Sequence, residues 1–60
     1  MASSTHEAIV EAFTTYLSES DNFETKGVKA SAARARKALM EITKAAKQRR
    51  GEIQDKKNNL

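Results

Sequence analysis

Sixty residues with a net charge of +3, no cysteine and no proline make one domain at most, near the lower size limit for an independent core. This composition excludes a disulfide staple or a Cys/His zinc set, and no apolar run approaches the roughly 20 residues that cross a bilayer. The charge is unevenly placed. Residues 1–25 hold Glu7, Glu11, Glu19, Asp21 and Glu24 and no Lys or Arg, whereas all eleven bases lie between Lys26 and Lys57, beside only Glu41, Glu52 and Asp55. The two parts carry −5 and +8, which make up the net +3, and the asymmetry points to a polyanion as partner of the second part.

Met1-Ala2-Ser3-Ser4 lacks the basic region and apolar stretch of a signal peptide, so a soluble, cytoplasmic chain is expected. Ser4-Thr5-His6-Glu7 fits a capping box, in which Ser4 accepts from the Glu7 N–H and Glu7 reaches back to Ser4. Ile9, Phe13, Tyr16, Leu17 and Phe23 follow at spacings of three and four, predicting an amphipathic helix over about residues 5–24.

Gly27 suits a helix-ending position with positive φ, and Val28 is placed to touch Phe23 as in a Schellman stop. The rival is one unbroken helix, since a lone glycine costs only about 1 kcal/mol. The break is the preferred reading, with a turn over about 25–28.

A basic helix over about 29–56 is predicted next. Val28, Ala32, Ala35, Leu39, Ile42, Ala46, Arg49 and Ile53 alternate spacings of four and three, a heptad seam interrupted only by Arg49. Folding the chain back places Phe23 by Val28, Tyr16 by Ala35, Phe13 by Leu39 and Ile9 by Ile42, with large residues opposite small ones. The second helix is expected to overhang the first from about residue 44, by roughly 20 Å, leaving Ala46 and Ile53 without a partner. Gly51 marks a point of fraying, and Asp55 to Leu60 reads as a loose polar end. The fold class is all-α, an antiparallel two-helix hairpin. Burying so few large apolar side chains does not clearly exceed the cost of ordering, so self-association into a dimer or larger helical bundle is expected.

On the second helix, Lys29, Arg36, Lys37, Lys44 and Lys47 cluster opposite this seam at about 100° per residue, with Arg34 at the edge. Ala30 and Ala33 between them permit close approach to a phosphate backbone, and Arg49 and Arg50 lie nearer the seam. A solvated helix normally mixes both signs in i,i+4 pairs. Between Lys26 and Arg50 there is one acid, Glu41. The one-sidedness favours phosphate contact, and the near absence of Asn and Gln from this face argues against base reading. Phe13, Tyr16 and Phe23 sit at core spacing on the acidic helix, which suits a core better than base stacking.

An enzyme is not expected. His6 is the only histidine, the acids are dispersed, no glycine loop cradles phosphate, and no cofactor or metal set is present. Met40 reads as a partly exposed filler. The remaining alternatives are an RNA-binding variant, or a structural helical module that assembles through its seam or docks on an acidic protein.

Lys26-Gly27-Val28-Lys29-Ala30-Ser31-Ala32-Ala33-Arg34-Ala35-Arg36-Lys37-Ala38-Leu39 resembles the KGNKAA-x-x-RARK stretch of the bacterial histone-like family typified by the chlamydial linker-histone-like nucleoid protein. Glu41, Lys44, Lys47, Arg50 and Glu52-Ile53 continue in similar register. The resemblance covers about half the chain. It implies double-stranded DNA binding without sequence preference and compaction of the nucleoid. The chlamydial members carry a long Lys/Ala-rich tail, and this sequence ends at Asn58-Asn59-Leu60, so bridging here would rest on oligomerisation. Short tailless members look similar to proteins of some bacterial viruses, which would add the virion to the expected locations.

Overall fold

The computed structural model describes residues 4–60. Two helices account for nearly all of them: α1 (Ser4–Lys26, 23 residues) and α2 (Lys29–Asn58, 30 residues), packed along each other as an all-α hairpin. Abundant alanine and the lack of proline favour both helices. α1 begins at Ser4, so Ser4 is helical rather than the cap anticipated, and the capping position falls outside the described residues.

The break lies at Gly27, with φ of +67°, the left-handed conformation that glycine adopts without steric cost. The Gly27 N–H donates to the Phe23 carbonyl at 3.0 Å. This single bond across five residues is the αL stop rather than the two-bond Schellman pattern. Val28 is extended (φ −74°, ψ 109°) and starts α2 without a side-chain cap. Its carbonyl accepts from Ser31 and Ala32 at 3.1 and 3.4 Å.

The far end is helical further than the sequence suggests. α2 passes through Gly51 and continues to Asn58. Lys56 and Lys57 in its last turn complement the helix dipole, and the Asn59 side chain donates to the Asp55 carbonyl at 2.9 Å. The overhang is also shorter than expected. Thr5 bonds Glu52, so α1 runs beside α2 well past residue 44. Only the last turn and a half, about 9 Å at 1.5 Å per residue, projects beyond.

The interior differs from the expected seam in rotation. Among the described residues, those buried are Thr5 and Ala12 on α1 and Ser31, Ala35 and Ala38 on α2. Ile9, Tyr16, Glu19, Ser20, Asn22, Ala32, Ile42, Ala45, Ala46, Arg49 and Glu52 are half-buried. The α2 side of the seam therefore centres on Ser31, Ala35, Ala38, Ile42, Ala45, Arg49 and Glu52, with Ala32 and Ala46 of the anticipated line half-buried at its edge. This keeps the four-three alternation but turns it by about 60° from the anticipated line, at 100° per residue. Small side chains allow the helix axes to come close, and bulky ones are excluded from between them. Phe13, Leu17, Leu39 and Ile53 consequently remain about half exposed, and the pairing of Phe13 and Leu39 does not form a buried core.

Candidate nucleic-acid interface

The rotated seam places α1 diametrically behind the basic face. At about 100° per residue, Lys29, Arg36, Lys44 and Lys47 point directly away from α1, with Lys37 and Arg50 on either flank, and all six are exposed. Ala33 and Met40 lie between the cation rows, and with Arg36 and Lys37 they line a shallow depression. Glu7 and Asp21 fall on the outer surface of α1 and are exposed, whereas Glu11 lines the groove between the helices with Arg34, Lys37 and Glu41.

Two of the anticipated cations are engaged within the hairpin. Arg34 Nε donates to Glu19 Oε2 in an ion pair across the two helices. Glu19 Oε1 also accepts from Ser31 Oγ at 3.1 Å, and Ser31 is only 1% exposed. Arg34's hydrogen bond holds the Glu19 carboxyl below its ordinary pKa. Desolvation opposes that shift, and the Ser31 bond and the Arg34 charge reinforce it. Arg49 donates to Glu52 Oε1 at 3.1 Å. Glu52 Oε2 accepts from Thr5 at 2.6 Å and Gln48 at 3.5 Å.

Arg34 is therefore positioned to lock helix pairing and Arg49 pairs within α2 with the Glu52 that Thr5 reaches, while Lys29, Arg36, Lys37, Lys44, Lys47 and Arg50 form the outward surface. The clip residues Thr5, Glu19, Ser31 and Glu52 were not singled out from sequence. Their signal is the spacing of Ser31, Ala35, Ala38 and Ala45, small residues along one line of α2 that Glu19 of α1 reaches at Ser31.

No group of His, Cys, Asp and Glu among the described residues is arranged to hold a metal ion, and no described helix is long and apolar enough to cross a membrane. The described surface offers dispersed cations and a groove lined by alanines, Thr15 and the charged Glu11, Arg34, Lys37 and Glu41. No curated protein and no solved structure matches the chain. A family description, histone H1-like protein Hc1, matches residues 3–59, extending the likeness of the Lys26–Leu39 stretch over both helices, and the chain belongs to this histone H1-like family.

Proposed function

We propose that this protein binds double-stranded DNA without sequence preference, as a nucleoid component, through the outer face of α2. The observation that carries the reading is the placement of Lys29, Arg36, Lys44 and Lys47 on the surface opposite α1, with no acid among them. Phosphates neutralised by these side chains release counterions, so affinity comes from charge and carries no base information. Histone-like family membership supports the same reading. Glu7 and Asp21 of α1 lie away from the duplex, and repulsion between them and phosphate orients the hairpin with α2 inward.

The test is fluorescence anisotropy with labelled duplexes of unrelated sequence at about 50 and 200 mM salt. Each phosphate contact contributes about −0.9 to the slope of log K against log salt. Four to six contacts predict a steep slope that is the same for every duplex. A single-stranded RNA probe of equal length is expected to bind more weakly, because its phosphates are not fixed at duplex spacing. Failure to bind any duplex at 50 mM would remove the reading and leave the hairpin as an assembly module.

A further inference from the structure

The outer face of α2 is not evenly charged. At about 100° per residue, Met40 falls opposite the centre of the seam and Ala33 lies within about 20° of the same line. Lys29, Arg36 and Lys47 stand about 20–40° to one side of Met40, with Arg50 further round. Lys44 and Lys37 stand about 40–60° to the other side. Ala33 is exposed and Met40 is 56% exposed, and with Arg36 and Lys37 they line a shallow depression. The one acid between Lys29 and Arg50 is Glu41, and it lies in the groove beside α1. The face thus has an uncharged centre line with a row of cations along each edge.

Resting on the DNA-binding reading above, we infer that α2 lies lengthwise in the major groove of B-form DNA, with Ala33 and Met40 toward the base edges and the two cation rows on the two phosphate strands that bound the groove. The order of charge supports this placement. A helix laid along a single phosphate ridge would set its centre line on the anions, where this helix carries alanine and methionine. A groove has the matching order, an uncharged floor between two anionic walls.

Size supports it as well. An α-helix with its side chains is about 10–12 Å across, whereas the major groove is about 12 Å wide and 8.5 Å deep and the minor groove about 6 Å wide. α1 packs behind α2, on the side away from the cation rows, so α2 enters alone and α1 stays outside the walls. Ala33 has no polar side-chain atom and Met40 only a weakly accepting sulfur, so entry adds no hydrogen-bonded reading of the bases. The same geometry selects the nucleic acid. The major groove of A-form RNA is deep, narrow and closed to side chains, and double-stranded RNA offers α2 only its outer phosphates.

The chain has no cysteine of its own, so Met40→Cys introduces a single thiol at an exposed position. This protein is incubated with duplexes that carry one tethered mixed disulfide, either on cytosine N4 in the major groove or on guanine N2 in the minor groove. Disulfide exchange is expected to be at least about tenfold faster with the cytosine tether. Thr14→Cys, exposed on the outer surface of α1, is expected to show no preference and a slow rate with both. Equal rates of Met40→Cys with the two tethers, or a faster reaction with the guanine tether, would overturn the groove placement. A second measurement compares the wild type by anisotropy on DNA and RNA duplexes of one sequence at about 50 mM salt. Affinity for the RNA duplex is expected to be at least about tenfold lower. Equal affinity would overturn the placement and leave DNA binding through outer phosphates. Failure to bind either duplex would remove the DNA reading itself, and the groove placement with it.

Discussion

Thr5 Oγ1 donates a 2.6 Å hydrogen bond to Glu52 Oε2, joining residues 47 positions apart in sequence. The bond ties the first turn of α1 to the late part of α2. The Glu19 clip with Ser31 and Arg34 ties the opposite end of the seam, near the turn. Two polar clips at the two ends set the register and the rotation of helices whose interior is otherwise mostly alanine. Alanine contacts alone tolerate sliding, because every small residue resembles the next.

Removing the Thr5 hydroxyl while keeping its shape therefore loosens the open end. A hydrogen bond to a charged group contributes about 1.5–3 kcal/mol, and Thr5 is buried. Thr5→Val is expected to lower the melting temperature by about 4–8 °C per kcal/mol lost. Circular dichroism melts at fixed protein concentration check this. An unchanged midpoint would mean that the clip contributes nothing net.

The rotation of the seam is tested by two neighbours. Ala38 is 3% exposed and Leu39 45%, although the larger side chain is the more hydrophobic. Ala38→Leu inserts three carbons between close helix axes and is expected to cost about 1–3 kcal/mol. Leu39→Gln leaves the inside of the hairpin intact and alters an exposed apolar position. Denaturant unfolding at low protein concentration is expected to show the larger loss for Ala38→Leu. The reverse order would restore the seam through Leu39.

The helices and their break were legible because their causes are local: no proline, alanine throughout, and one glycine where the chain must reverse. The basic face was legible for the same reason, since charge is read directly from residue type. The rotation was not. A periodicity weighted by hydrophobicity selects Val28, Leu39 and Ile53, whereas close axes select Ser31, Ala35 and Ala38. The partner of Glu19 was also hidden, because several cations of α2 lie within reach until the rotation is known. Arg34 and Arg49, expected as phosphate contacts, also form ion pairs in the structure.

Glu19 makes part of the stability pH-dependent. Its pKa in the folded chain lies below the unfolded value of about 4.3, so the folded state binds the proton less readily. The contribution is therefore fully present above the unfolded value and disappears as pH falls through the folded one. Glu19→Gln keeps an acceptor for Ser31 and removes the charge facing Arg34. Its melting temperature is expected below that of the wild type at pH 7, with the gap closing toward pH 3. A gap independent of pH would assign the loss to geometry instead of ionisation.

Gly27 tests the turn. A Cβ added there meets no atom within 4 Å, so the cost of Gly27→Ala is conformational alone. The left-handed region costs an L-residue about 1–2 kcal/mol. Alanine also favours the straight helix that competes with the hairpin. The expected result is a lower midpoint of unfolding together with an undiminished helical signal, and sedimentation would detect a more elongated chain. Full stability in Gly27→Ala would mean that the positive φ is not required for the reversal.

The cations divide into two classes with separable readouts. Lys29, Arg36, Lys44 and Lys47 are exposed on the outer face, and neutralising one by Gln is expected to leave stability within about 0.5 kcal/mol of wild type. Each such change is expected to reduce the salt slope by about 0.9 and to weaken binding equally for all duplex sequences. Arg34 and Arg49 behave in the opposite way, because their donors are held by Glu19 and Glu52. Arg34→Gln and Arg49→Gln are expected to lower stability while leaving the salt slope of the folded protein nearly unchanged. Salt titrations by anisotropy, paired with melts on the same samples, separate the classes. A slope that falls as much for Arg34→Gln as for Arg36→Gln would show that the Glu19 pair opens on DNA and releases Arg34 to phosphate.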